Sequence, residues 1–299
     1  MPADNLIDGR AIAQEVHAET ESRVAALKAA GVEPGLMFVR VGEDSASKVY
    51  VGMKERTAAK LGIRSETTVL PEDTAEADLL ELIGKLNADS SVHGVLVQAP
   101  LPRHIDEAKV FSTVSPAKDV DGFHPVNVGK LMLGDAGGFV PCTPGGVHEL
   151  LIRSGAPVEG AEVVILGRGN IVGKPMAAIL CQKNQHANAT VTLCHSRSRD
   201  VAGHCRRADI VVAAMGVAEF VKADMVKPGA TVIDVGVNRV DDPAAEKGYR
   251  LVGDVDFATV QPLAGKITPN PGGVGPMTIA MLMRNTVRAA VQQTGAGTR

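Results

Sequence analysis

The chain has 299 residues, of which 45% are hydrophobic and 22% charged, and its formal net charge is -3 at pH 7. That length exceeds what one hydrophobic core usually serves, and the composition is that of an ordinary globular protein, so two domains are expected and a long disordered arm is not. The mild acidity, the absence of Trp, and only two Tyr and six Phe argue against a nucleic-acid or membrane-binding face and leave a small-molecule substrate.

Positions 10–30 set Ile12, Val16, Val24 and Leu27 at helical spacing, closed by Gly31. The apolar run GLMFVRV (35–41) reads as a strand, Ser45 to Leu61 as a helix stopped by Gly62, RSETTVL (64–70) as a strand, 74–87 as a helix and HGVLVQ (93–98) as a strand. Strands alternating with helices imply right-handed crossovers and a mainly parallel sheet. PCTPGG (141–146) reads as a turn before helical HELLIRSG, and a second series follows. Its strands are AEVVILG (161–167), ATVTLCH (189–195), ADIVVAAMG (208–216), ATVIDVG (230–236) and YRLVG (249–253). This half has the rhythm of a doubly wound sheet, which binds dinucleotides at the carboxyl ends of its strands. TPNPGGVGP (268–276) is too rich in Pro and Gly for regular structure. The apolar MTIAMLMRNTVRAAV (277–291) reads as a helix able to return to the first domain, and the GAGTR tail as disordered.

Cys142, Cys181, Cys194 and Cys205 form no CxxC pair and no zinc-ligand pattern, so they are expected to be small buried apolar residues, and no metal is expected. No stretch reaches the run of about 18 apolar residues that a membrane span requires, and MPADNLIDGR lacks an apolar leader core. A cytoplasmic protein with reduced thiols is the expectation.

Two segments carry chemistry. The strand AEVVILG runs into Gly167-Arg168-Gly169-Asn170-Ile171-Val172-Gly173 and then a helix with Pro175 near its first turn. The glycines permit close backbone approach to a pyrophosphate, and free N–H groups with the helix dipole favour an anion there. Lys174 is followed by Pro175 where a P-loop needs Ser or Thr, so nucleotide hydrolysis drops away. After the next strand, His195-Ser196-Arg197-Ser198-Arg199 offers no acid for a ribose 2′-hydroxyl. Arg168, Ser196 and Arg197 or Arg199 instead suit a 2′-phosphate, which makes NADP the expected cofactor. On the helix 45–61, Ser47, Tyr50 and Lys54 stand at i, i+3 and i+7 on one face. Gln98 ends the strand 93–98, where a neutral amide would hold a lysine amine without raising its pKa, and Asp119 and Asp121 in KDVDGFHP offer a carboxylate on a tight turn.

Together these segments resemble the bacterial bifunctional methylenetetrahydrofolate dehydrogenase/methenyltetrahydrofolate cyclohydrolase family, FolD. The likeness rests on SKVYVGMKERTAAKLGI (47–63), VHGVLVQAPLP (92–102), PAKDVDGFHPVNVGKL (116–131), PCTPGGV (141–147), ILGRGNIVGKP (165–175), GATVIDVGVNR (229–239), GDVDF (253–257) and ITPNPGGVGPMTIAML (267–282). It implies an α/β protein with an N-terminal folate/catalytic domain, 1–140 completed by a helix at 277–299, a Rossmann-like NADP-binding domain, 141–276, and a cleft between them. It further implies oxidation of 5,10-methylenetetrahydrofolate by NADP and hydrolysis of the product to 10-formyltetrahydrofolate, by a homodimer joined through its cofactor domain. On this likeness Lys54 is the general acid/base, Gln98 tunes it, Tyr50 packs on the folate ring, Asp121 anchors the pterin, and Ser47 with Pro271, Gly272 and Gly273 lines the substrate site. Gly167, Arg168, Gly169, Ser196, Arg197 and Val237 bind the cofactor. Gly169 departs from a usual Ser, Asn270 from a usual Val and Ala99 from a usual Leu. A shikimate-type NADP dehydrogenase would leave Lys54, Tyr50 and Gln98 without a joint purpose, and a noncatalytic dinucleotide sensor would not need them.

Overall fold

The computed structural model describes residues 5–245 and 248–296, so 297–299 of the tail expected to be disordered lie outside it. The chain forms two compact units: Gln14–Cys142 with the residues from Ile279 onward, and the residues up to Ala13 with Thr143–Thr278. We call them the lysine unit and the glycine-loop unit.

The first helix, α1 (Gly9–Ala29), runs from one unit into the other. The lysine unit then alternates β1 (Gly35–Val41), α2 (Ser45–Lys60), β2 (Arg64–Leu70), α3 (Glu76–Ala88) and β3 (Gly94–Val97) in a parallel sheet of order β2-β1-β3. The central strand β1 is buried at every position, as a parallel strand covered on both faces must be. Leu79, Ile83 and Leu86 of α3 pack on Met37, Val39, Val95 and Val97, and those helix positions are the i, i+4, i+7 stripe that an amphipathic helix turns toward a sheet. Two short helices, α4 (Glu107–Thr113) and α5 (Pro125–Leu133), were not anticipated, since seven and nine residues give too few turns for periodicity to register. Beyond β3 the chain adds one more rung: Val95 N–H donates to Lys118 O at 2.8 Å and Val95 bridges Asp119. This pairing sets the KDVDG turn against the strand that ends at Gln98.

The glycine-loop unit opens with α6 (Cys142–Arg153), so PCTPGG is the start of a helix and not a turn before one. Proline is tolerated in a first helical turn, where its missing N–H has no partner to lose, and a Cβ on Gly146 would stand 2.8 Å from the Met277 Cβ. There follow β4 (Glu162–Leu166), α7 (Gly173–Leu180), β5 (Thr190–Cys194), α8 (Val201–Arg207), β6 (Ile210–Ala213), β7 (Thr231–Asp234), β8 (Asn238–Asp241), β9 (Tyr249–Val252), α9 (Phe257–Val260) and β10 (Lys266–Ile267). Five of the strands form a parallel sheet ordered β10-β7-β6-β4-β5. YRLVG does not join it: β9 pairs antiparallel with β8 as a separate ribbon, and the fifth place is taken by the two-residue β10. A strand that short has no pattern to read. Residues before α1 belong here because Ile7 N–H donates to Ile267 O at 2.8 Å, Ile267 N–H to Asn5 O at 2.9 Å, and the Asn5 amide to Gln261 O and Ala264 O. The last helix, α10 (Val274–Thr294), begins three residues before the expected Met277, with Pro276 inside its first turn. Among the described residues no helix is long and apolar enough to cross a membrane. Cys142, Cys194 and Cys205 are buried as expected, whereas Cys181 is exposed.

Candidate functional site

In the lysine unit the site is built on the start of α2 and the end of β3. Asp44 caps α2, its carboxylate accepting from Ser47 N–H at 2.7 Å, which fixes where the first turn points. Of the three residues on the expected face, Ser47 is 5% and Lys54 8% exposed, while Tyr50 remains 43% exposed. Gln98 N–H continues the β1 ladder, donating to Val39 O at 2.8 Å. Its side-chain oxygen Oε1 accepts from Lys54 Nζ at 2.9 Å, and its Nε2 donates to Ala99 O at 2.6 Å. The second bond orients the amide so that oxygen faces the amine. Lys54 is thus buried against a neutral acceptor. Burial lowers its pKa from the usual lysine value, and the charge of Asp121 opposes that shift.

The two acids of KDVDG have different surroundings. Asp119 accepts from the N–H groups of Gly122, Phe123 and His124 and from Asn127 Nδ2, at 2.8 to 3.2 Å. It is consumed in building the turn. Asp121 lies on that turn beside Gly122, whose φ of +80° and close approach to the Val140–Pro141 backbone leave no room for a Cβ. Burial raises the Asp121 pKa, while the nearby Lys54 ammonium pulls it down. Cys142 is 1% exposed; its Sγ donates to Val120 O at 3.3 Å, and burial followed by the Asp121 charge pushes its thiol pKa well up. Lys54, Gln98, Asp121 and Cys142 therefore form one electrostatic group. Cys142 was missed because a lone cysteine in PCTP gives no sign of what it faces.

In the glycine-loop unit the cofactor candidates leave neighbouring strand ends. Leu166 pairs with Cys194 across β4 and β5, which places Gly167–Gly169 beside Ser196 and Arg197. Gly167 has φ +111° and its Cβ would collide with Ala214 O; the Cβ of Gly173 would collide with Gly167 O. Around Gly169 there is nothing within 4 Å, so the loop needs two of its glycines and the third leaves open space. Val172 caps α7 without a side-chain hydrogen bond. Lys174 N–H donates to Gly169 O at 3.1 Å and Pro175 has no N–H, so of the first three positions of α7 only Gly173 offers an amide to an anion. Arg168, Ser196 and Arg197 are all exposed. Lys174 Nζ is engaged by Asn170 Oδ1 at 2.7 Å.

Val237, 58% exposed, stands between two anchored residues. Asp254 accepts from Asn238 Nδ2 and from the N–H groups of Met215, Gly216 and Val217, at 2.7 to 3.0 Å. Asp234 accepts from Gly236, Asp254 and Val255 N–H. Both acids are almost wholly buried, at 4% and 0% for Asp234 and Asp254. The three amides that end β6 are thereby occupied by the protein's own carboxylate and are not a phosphate cradle. Asn270 Nδ2 donates to Gly236 O at 2.5 Å, tying Pro271, Gly272 and Gly273 to the Val237 turn. Among the described residues no group of three or more His, Cys, Asp or Glu could hold a metal ion.

Two family models match the chain: the tetrahydrofolate dehydrogenase/cyclohydrolase catalytic domain over residues 7–121 and its NAD(P)-binding domain over residues 141–294. The bifunctional protein FolD of Syntrophobacter fumaroxidans is 55% identical over 288 residues, 96% of this chain and 97% of that one. Among solved structures, the bifunctional FolD methylenetetrahydrofolate dehydrogenase/cyclohydrolase of Campylobacter jejuni superimposes with a TM-score of 0.91 at 45% identity, covering 96% and 98% of the two chains. The Trypanosoma brucei N5,N10-methylenetetrahydrofolate dehydrogenase-cyclohydrolase, solved with NADP and an inhibitor, gives 0.91 at 41% identity over 98% and 99%.

Proposed function

This chain belongs to the tetrahydrofolate dehydrogenase/cyclohydrolase family, and from that we propose that hydrolysis rests on Lys54 in the lysine unit and dinucleotide binding on the glycine loop of the other. The enzyme oxidises 5,10-methylenetetrahydrofolate to the 5,10-methenyl cation and hydrolyses that cation to 10-formyltetrahydrofolate, with NADP as cofactor. NADP, when bound, takes up the hydride that leaves the methylene carbon.

Hydrolysis needs a proton removed from water as its oxygen bonds to the cationic carbon and a proton delivered to the ring nitrogen as the carbon–nitrogen bond breaks, while the remaining hydroxyl proton is released to solvent as the formyl C=O forms. Lys54 serves both steps, as amine and then as ammonium. An exposed lysine is protonated throughout at pH 7, whereas burial brings Lys54 toward the range where it can trade a proton. Gln98 supports the exchange by accepting one N–H without adding charge. Within the lysine unit, Asp121 offers its carboxylate to the donor edge of the pterin, Tyr50 its exposed ring to the folate, and Ser47 a hydroxyl on the same helix.

For NADP, Gly167 and Gly169 admit the pyrophosphate to the start of α7, and Arg168 with Ser196 and Arg197 takes the 2′-phosphate through charge-assisted bonds. Val237 packs against the cofactor from its anchored turn. We extend the reading to a cytoplasmic homodimer, supported by four unpaired cysteines and by a β8–β9 ribbon that leaves Leu251 47% exposed; its mass in solution tests the dimer.

The observation that carries the proposal is the amine of an 8%-exposed lysine held 2.9 Å from a neutral oxygen. Lys54→Met, which keeps the length and apolar bulk of the side chain, is expected to abolish methenyltetrahydrofolate hydrolysis while NADP affinity and thermal unfolding stay near wild type. Undiminished hydrolysis sinks the role.

A further inference from the structure

The lysine unit contains a polar residue whose placement only the folded chain discloses. Asn285 lies near the middle of α10, in a stretch where Met281, Leu282, Met283, Val287, Ala289 and Ala290 are all buried. It is itself only 6% exposed. A buried amide in an apolar helix is costly unless its donors are used, and here they are. Asn285 Nδ2 donates to Val120 O at 2.8 Å and to Val140 O at 3.1 Å, with Cys142 Sγ at 3.8 Å. Those partners are separated from it by 165, 145 and 143 residues.

The two carbonyls immediately precede functional neighbours of Lys54. Val120 is followed by Asp121, and Val140 by Pro141 and Cys142. The same two strands of chain are in contact at Gly122, which has no space for a Cβ against Val140 and Pro141, and Cys142 Sγ bonds back to Val120 O. One amide therefore clamps the segment that bears Asp121 to the segment that bears Cys142. Of the two residues so joined, Asp121 carries the charge that acts on Lys54, while Cys142 keeps its proton and bonds to Val120 O.

We propose that Asn285 is a positioning residue for hydrolysis: by holding the Val120 and Val140 carbonyls together it sets the direction of the Asp121 carboxylate relative to Lys54 and to the pterin. It touches no reacting atom. The inference rests on the roles proposed above for Lys54 and Asp121.

The test is a double-mutant cycle on the full chain, with methenyltetrahydrofolate hydrolysis followed from pH 6 to 9. Asn285→Leu removes two buried hydrogen bonds at similar volume and is expected to lower kcat/KM about tenfold, to displace the pH limb that reports Lys54, and to leave the Kd for NADP unchanged. In an Asp121→Asn background the same substitution should cost little more, because residues acting through one another are not additive. Asn285→Ser, which keeps a small polar side chain, is the second variant should Leu prevent folding. Losses that multiply across the cycle, or a lowered Tm with the pH limb in place, would overturn the proposal by showing a structural role alone. Persistence of hydrolysis in Lys54→Met, read in parallel, would instead refute the lysine reading on which it stands.

Discussion

Gln98→Glu is the sharpest single perturbation of the lysine site, because it changes the charge of the acceptor and almost nothing of its shape. The present contact is neutral, with Lys54 Nζ 2.9 Å from Oε1. A full charge at that distance would attract the ammonium by about 6 kcal/mol at an effective dielectric of roughly 20. The carboxylate's own desolvation opposes this, and a cation beside an opposite charge typically moves by about 1–3 pKa units. The Lys54 pKa is therefore expected to rise by that amount. Each unit leaves about tenfold less free amine at pH 7, so hydrolysis limited by the amine should fall by roughly 10- to 1,000-fold. The whole limb of the rate profile should shift toward alkaline pH, with partial recovery near pH 9. Glu also lacks the N–H that now donates to Ala99 O, which loosens its orientation at a further cost of about 1 kcal/mol. The assay is the loss of methenyltetrahydrofolate absorbance at a series of pH values, in wild type and variant. An unshifted limb, or a rate that rises at pH 7, would refute the argument that a neutral neighbour is what lets this lysine exchange protons.

Arg168→Ala should raise the Kd for NADP by about 10- to 100-fold, the worth of a charge-assisted contact, and leave NAD within a factor of two of wild type; equal losses for both would remove the 2′-phosphate assignment. In the glycine loop, Gly167→Ala drives a Cβ into Ala214 O at φ +111° and should cost about 1–3 kcal/mol or more. Gly169→Ala, with open space around it, should stay within about 0.5 kcal/mol, both read from urea unfolding. Burial raises the Asp234 carboxyl from 3.8 to about 6. Its contribution is fully present below the unfolded value and is lost as pH climbs through the folded one, because the native state then holds a proton that the unfolded chain has released. Stability should fall by about 3 kcal/mol between pH 4 and 7 on this account, and Asp234→Asn should flatten that slope in urea midpoints.

How much of this could be read from the chain depends on the range over which each feature is determined. The strands 35–41 and 64–70, and the order strand, glycine loop, helix at 161–180, are local patterns, and local backbone sterics and burial periodicity are enough to produce them. The lysine face of α2 is likewise a matter of helical spacing. PCTPGG misleads because Pro and Gly serve a helix start and a close approach as readily as a turn, and only Met277, more than a hundred positions on, tells which applies. YRLVG has strand composition, but whether it enters the main sheet or pairs with β8 is decided by which edge is free. The candidate residues themselves are set by side-chain type along the sequence. What the tertiary structure alone decides is which of them meet: the Val95–Lys118 rung brings the KDVDG turn to Gln98, and Asn285 arrives from the last helix to hold that turn. Those encounters fix how dry Lys54 is and which charges it feels, because desolvation and Coulomb attraction depend on distance through space and not on separation along the chain.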